Sequence, residues 1–426
     1  MKWFLSGLQW MIFMIAGAIA APIAIADLYH LSPVETAEFI QRTIFILGAA
    51  GFIQGVIGHK LPIHEGPAGL WWSIFAIYAG LVGVLYSSNI EALQALSGGM
   101  IISGILFILL AAFKLIDKIA QLFTPTITFV YLSLLIFQLS GSFIKGMLGI
   151  SSDHGKIDIT VFILSVAVVC MAFWLGKSKV PFLQRYSVMI SLIAGWLLFI
   201  AARQAHAVEK AERFFQLPKA FPFGLPSFDT GTVVTATLLT LLLITNVIVS
   251  IRLMESVVNR GDDRHTYIRA SFVSGANHLV SGFFGAMGPV PISGAAGFVK
   301  QTGLKQRLPF LVGCGLVMGV SLFPIVMNVI AAIPAPIGYA VTFVIFVSMF
   351  GLALKELKAA EHEGRAFTVS GIAMMVGVGL MFVPAEAAQE LPPAVEAIFN
   401  NGLICGSVLA IILEQASMWG DRRRKN

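Results

Sequence analysis

The stretch His64-Glu-Gly-Pro-Ala-Gly-Leu70 (HEGPAGL) sets a carboxylate beside two glycines and a proline, inside what hydropathy reads as a membrane span. It has an echo far along the chain, where Pro289-Val-Pro-Ile-Ser-Gly294 runs into Ala295-Ala-Gly-Phe298. Irregular backbone at bilayer depth is tolerated only where it is buried in protein or lines a cavity. Both stretches therefore point to a chain folded around a site.

The rest of the sequence supports the membrane reading. Hydrophobic residues make up 57% of the 426 and charged residues only 12%, against roughly a quarter charged in soluble proteins. Apolar runs of about 20 residues, the length that crosses a bilayer, recur from Trp3 to Leu413 with short polar gaps. The expectation is an all-α polytopic membrane protein, a single transporter domain over 1–426. About fourteen spans are read, at 3–25, 39–57, 61–86, 98–113, 124–146, 157–176, 185–203, 231–256, 268–285, 288–302, 307–330, 334–354, 366–384 and 397–414. The first run lacks a cleavage site and is read as a retained span.

The longest polar gap, about 204–230, divides the chain into halves of seven spans, 1–203 and 231–414. Halves with odd span counts insert in opposite orientations, so similarity between them means an inverted repeat. Gly66-Pro-Ala-Gly-Leu70 in the third span matches Gly294-Ala-Ala-Gly-Phe298 in the tenth, which sets Glu65 against Ser293. Pro125-Thr-Ile-Thr-Phe-Val130 and Pro336-Ile-Gly-Tyr-Ala-Val341 repeat the same offset in the fifth and twelfth spans. A 7+7 inverted repeat follows, with short extended segments at Leu61–His64 and Pro289–Ile292 leading into half-helices that start near Gly66 and Gly294. The free N–H groups at those starts, including Gly66, Gly294 and Ala295, would point at a central ligand.

The formal charge of +6 is topological. Lys114 with Lys118, Lys177 with Lys179, Arg260 with Arg264, and Lys355 with Lys358 occupy alternate gaps, while Asp27, Glu35, Glu38, Glu91, Glu386 and Glu390 occupy the others. This positive-inside pattern places both termini in the cytoplasm and the protein in the plasma or inner membrane. Nucleic acid is not an implied partner. Cys170, Cys314 and Cys405 lie far apart in apolar runs, as small core side chains do. Gly176-Lys-Ser178 imitates the end of a phosphate loop, but Met171 stands at its leading glycine position. No cofactor, metal or catalytic set is implied, and the chain reads as no enzyme.

The segments Gly7–Pro22 (GLQWMIFMIAGAIAAP), His278–Gly294 (HLVSGFFGAMGPVPISG), Leu122–Gly141 (LFTPTITFVYLSLLIFQLSG) and Ile333–Gly351 (IPAPIGYAVTFVIFVSMFG) resemble helices of the nucleobase-ascorbate transporters, the xanthine/uracil permeases. That resemblance implies fourteen helices, a core of spans 1–4 and 8–11, a gate of spans 5–7 and 12–14, and a homodimer. It also implies transport of a nucleobase, with protons as coupling ion. Two departures stand out. Asn246 falls where the family carries an acid in its eighth helix, with Ser250 one turn on, and Gly294 falls where the family has Glu or Gln.

Glu65 is the strongest candidate for substrate and proton binding, because an acid at membrane depth is expensive and is by default functional. The alternative sets it at the cytoplasmic mouth beside His59 and Lys60. Asn246 and Ser250, four apart, share one helix face, and an amide that donates and accepts suits the edge of a base; alternatively they bond neighbouring helices. Ser293 either meets substrate or caps its helix. Gln9 is a further candidate contact, and His278 a candidate proton carrier or a satisfied interhelical residue. The function expected is secondary transport of a purine or pyrimidine base, by proton symport and alternating access. The alternatives are a facilitator, a transporter of another small organic anion, or a non-transporting membrane sensor.

Overall fold

The computed structural model describes residues 2–122, 124–150, 156–205, 207–211, 213–261, 264–388, 390–392, 395 and 399–425. It is mostly helical. α1 (Lys2–Ala18) and α2 (Ala20–Leu28) precede α3 (Pro33–Val56); β1 (Glu65–Pro67) then leads into α4 (Gly69–Gly80), followed by α5 (Asn89–Ala112), α6 (Ile116–Leu122) and α7 (Pro125–Met147). α8 (Ile159–Gly176), the short α9 (Pro181–Arg185) and α10 (Ser187–Ala201) come before the long loop. After it run α11 (Thr230–Val258), α12 (Arg264–Phe284), β2 (Pro289–Pro291) and α13 (Gly294–Thr302). α14 (Arg307–Ser321), α15 (Pro324–Ala331), α16 (Ala335–Lys358), α17 (Glu363–Leu380) and α18 (Gly402–Lys425) complete the chain.

Every stretch read as a span holds helix. Residues 397 and 398, the start of the last one, lie outside the described residues. Among the described residues, eight apolar helical runs are long enough to cross a membrane, counting α1 with α2 as one. α14 and α15 make a ninth only if joined across an 85° bend. That bend falls at Pro324, where a proline lacks the N–H that would continue the helix. The other stretches contain α4, α10, α12, α13 and α17, which by themselves fall short in length or hydropathy. α13 has nine residues, about 14 Å of rise, or half a hydrocarbon core.

The helix ends are written in the sequence. Ser32 accepts from Glu35 N while Glu35 reaches back to Ser32 N, a capping box with Pro33 in the first turn of α3. Ser88, Thr124, Asp158 and Asp229 cap α5, α7, α8 and α11. The long loop is tied down by Gln41 Nε2 donating to Gln216 O (2.7 Å) and Gln94 Nε2 to Phe223 O (2.7 Å).

Helices pack through small residues, as lipid-embedded helices must when apolar burial gives no net drive. α5 crosses α12 so closely that a Cβ on Gly104 would sit 2.7 Å from Gly275 O. α1 and α3 pack on α14, α7 packs on α16, and α17 on α18. The strand pair lies between α1, α3, α11 and α12.

Candidate functional site

The centre of the molecule is a three-residue antiparallel ladder. Glu65 pairs with Pro291, Gly66 with Val290 and Pro67 with Pro289. Ile292 N donating to His64 O and Ala68 N to Gly288 O, both 3.0 Å, close its two ends. The prolines supply no N–H, which keeps the ladder short. Because the strands run antiparallel, α4 and α13 leave it from opposite ends. Neither helix start has a side-chain cap, so both present the positive end of a dipole; at α13, however, Ala295 N donates to Ile292 O (3.0 Å) and Ala296 N to Ser293 O (3.1 Å), so the expected free N–H of Ala295 is already used by a tight backbone turn.

The two extended segments differ from the sequence reading in one respect. β2 and α13 fall where expected, but the first strand is Glu65–Pro67 and its helix begins at Gly69, three residues after Gly66. Pro67 and the extended Ala68 (ψ 122°) hold the chain in the ladder. Counted from the helix starts, Ser293 corresponds to Ala68, not to Glu65. Gly66 is therefore buried in the ladder, where a Cβ would meet Ile292 Cγ1 at 2.6 Å.

On the α13 side the sequence candidates converge. The Ser250 hydroxyl donates to Pro291 O at 2.8 Å and lies 2.8 Å from Ser293 Oγ and 3.1 Å from Asn246 Oδ1. One proton cannot serve all three acceptors, so the hydroxyls share donors. Ser293 spends its side chain here and not on capping. Ser250 is buried, Asn246 and Ser293 are half-buried, and Gly294 is exposed at the helix start with Ala295 buried behind it. Asn246, Ser250, Ser293 and Gly294 thus form a continuous uncharged cradle of amide, hydroxyl and backbone groups. At the start of the other half-helix, a Cβ on Gly69 would lie 3.7 Å from Leu135 of α7 and 3.8 Å from Phe346 of α16.

Glu65 sits apart from this cradle. It is 2% exposed, and neither carboxylate oxygen has a partner among the described residues. The carboxylate borders a small cavity formed by Met14, Ile15 and Ala18 of α1, Ile44, Leu47 and Gly48 of α3, and Val317 of α14. The space suits about one water molecule. Next to it, a Cβ on Gly51 would lie 3.7 Å from Glu65 N and 3.1 Å from Cys314 Sγ. Side chains alternate faces along a strand, and β1 turns Glu65 toward α1, α3 and α14 while the hydroxyl network gathers at α11. The reading of Glu65 and Asn246 as one contact set is corrected accordingly.

Two further candidates lie outside the hydrogen-bond network of the cradle. His278 is fully buried on α12, with Nδ1 2.8 Å from Ser274 O and its ring 5.2 Å from Phe107 and 6.2 Å from Trp71. Gln9 is exposed near the start of α1. One turn on from Gln9, Phe13 stacks on Phe298 of α13 at 4.2 Å and 18° and meets His64 edge-on at 5.0 Å. Sequence reasoning missed Phe13, Phe298, Leu135 and Phe346. The four-residue spacing from Gln9 to Phe13 was the available signal for the first. No group of three or more His, Cys, Asp or Glu residues that suits a metal occurs among the described residues.

The Permease family model (Xan_ur_permease) matches residues 1–386. A putative purine permease, YwdJ of Bacillus subtilis (strain 168), is 43% identical over 100% of this chain and 98% of its own length. The uric acid permease PucJ of the same organism is 24% identical, with 97% and 92% covered. Among solved structures, the transmembrane domain of the cyanobacterial bicarbonate transporter BicA superposes with a TM-score of 0.69 at 14% identity, covering 89% of this chain and 97% of that one. Murine Slc26a9, an anion transporter in its inward-facing state, gives 0.68 at 12%, covering 98% and 68%. A likeness at such low identity shows the fold alone, and the sequence match is more specific: the chain belongs to the Permease family, Xan_ur_permease, and is a multi-pass membrane transporter rather than an enzyme.

Proposed function

We propose that this protein is a secondary transporter of a purine or pyrimidine base, moving it with a proton by alternating access. The observation that carries the reading is the uncharged cradle of Asn246, Ser250, Ser293 and the α13 start, with Ser250 bonded to Pro291 O, Ser293 and Asn246. A nucleobase edge alternates N–H donors with carbonyl acceptors; an amide and two hydroxyls can answer both. The positive end of the α13 dipole favours a carbonyl oxygen. The names of relatives that include purine and uric acid permeases support the same class.

In this reading the fourteen helical stretches are fourteen crossings of the plasma or inner membrane in a 7+7 inverted repeat, with both termini cytoplasmic. The antiparallel ladder is the meeting point of the two halves. Spans 1–4 and 8–11, which carry β1, β2 and the cradle, form a core; spans 5–7 and 12–14, including α7 and α16, form a gate in a homodimer. Movement of the core against the gate exposes the cradle to one side and then the other.

Glu65 is the proton carrier in this mechanism. A buried carboxylate without a counter-charge is stable when protonated. Its position across the ladder from the cradle makes coupling a matter of strand and helix movement instead of direct contact with substrate. The test is uptake of labelled uracil, xanthine, hypoxanthine and guanine into proteoliposomes with and without an inward proton gradient. Gradient-driven accumulation of one base supports the symporter. Equilibration without accumulation supports a facilitator, and no uptake of any base overturns the nucleobase reading.

A further inference from the structure

One cavity lies away from the cradle. About 590 Å³ in volume, it opens where the end of α4, the start of α5 and the start of α11 meet the residues just before α18. Small-molecule pockets range from about 300 to 1,000 Å³, so it has room for a ring compound. Under the topology proposed above, this is the external end of the molecule.

Its walls have a defined chemistry. Phe228 is 58% exposed and offers an aromatic face. Glu91 uses one oxygen for Ser87 N (2.7 Å) and Ser87 Oγ (2.6 Å), and the other takes no hydrogen bond from the described residues. Asn401 is 2% exposed; its Oδ1 accepts from Ile404 N at 3.1 Å, but among the described residues neither its amide nitrogen nor that of Asn400 has a partner. Asp229 is occupied by Thr232 N and Oγ1 and by Tyr86 OH. Among the described residues, no Lys, Arg or His lines the space. The walls therefore provide a stacking face, a carboxylate acceptor for ring N–H groups and amide donors for carbonyl oxygens. The carboxylates repel anions.

This cavity is separate from the cradle but aligned with it. Thr235, on its wall, is eleven residues before Asn246 on α11. That is three turns and about 16 Å, with both side chains on nearly the same helix face. Between them Leu239, Leu242 and Leu243 are buried and close the interval. We propose that the cavity is a second binding site, which holds a neutral, planar heterocycle rich in N–H and carbonyl groups before it reaches the cradle. The proposal rests on the nucleobase reading given above.

Equilibrium dialysis of the purified full chain with labelled hypoxanthine, repeated with xanthine and uracil, tests it. Wild type should bind two molecules per chain. Glu91→Gln with Phe228→Ala should lose one, its affinity falling at least about tenfold, and Asn246→Ala with Ser250→Ala should lose the other. Glu91→Gln alone keeps an oxygen for Ser87, so it serves as the milder variant if truncating Phe228 damages the fold. The assignment is overturned if the Glu91/Phe228 variant still binds two, or if wild type binds one and only the Asn246/Ser250 variant loses it. Absence of binding to all three proteins by every base overturns the nucleobase reading, and the second site with it.

Discussion

Where β1 enters the ladder, Glu65 turns a carboxylate without a partner among the described residues into an apolar cavity; where β2 leaves it, Ser293 joins Ser250 and Asn246 in a network of neutral hydrogen bonds. The backbone plan is the same on both sides, a three-residue strand and then an uncapped half-helix. The chemistry is not. A carboxylate in apolar surroundings has two states that differ by a proton, whereas amides and hydroxyls keep one state and present fixed donors and acceptors. One ladder can thus serve a proton on one side and a ring on the other, without either ligand touching the other's residues.

The comparison breaks most completely if the ladder itself is lost. Gly66→Val puts a branched side chain against Ile292; overpacking of this kind costs about 1–3 kcal/mol. Thermal unfolding should move down and uptake should vanish, since both sides depend on the register. Glu65→Gln comes next. It should abolish accumulation against a gradient, and with it the dependence of uptake on the pH difference, while base exchange between the two sides persists. A variant that still concentrates substrate would remove Glu65 from the mechanism.

Asn246→Ala and Ser250→Ala act on the other side of the ladder. Each removes hydrogen-bonding capacity worth about 1–2 kcal/mol, so KM should rise about tenfold while the remaining transport stays proton-driven. A change in coupling with KM intact would merge the two sides into one site. The smallest effect is expected at Gln9, which is exposed away from the network. Gln9→Ala should leave KM within about twofold, as surface substitutions do.

Much of this fold was legible from residues alone. Alternating basic gaps, long apolar runs and the two proline-glycine stretches identified a membrane transporter with irregular backbone at its centre. The second half-helix was legible to the residue, at Gly294. The first was misplaced by three residues, because nothing local to Glu65-Gly-Pro says that Pro67 and Ala68 are held straight by β2 and by Gly288 O. A one-residue step in a strand exchanges its two faces, so that uncertainty also hid which way Glu65 points. Phe346 and Leu135 stayed invisible as neighbours of Gly69, since each reads as one more apolar residue in a lipid-facing helix.

By itself, then, the sequence determined the solvent this protein lives in, the places where its helices are interrupted, and the pairing of Asn246 with Ser250 on one helix face. Those follow from hydropathy and from periodicity, which are local. Tertiary structure decided that Ser250 meets Ser293 and Pro291 O, and that Glu65 is enclosed by α1, α3 and α14 instead. Contacts between residues tens to hundreds of positions apart depend on strand register and helix crossing, which no single stretch of chain encodes.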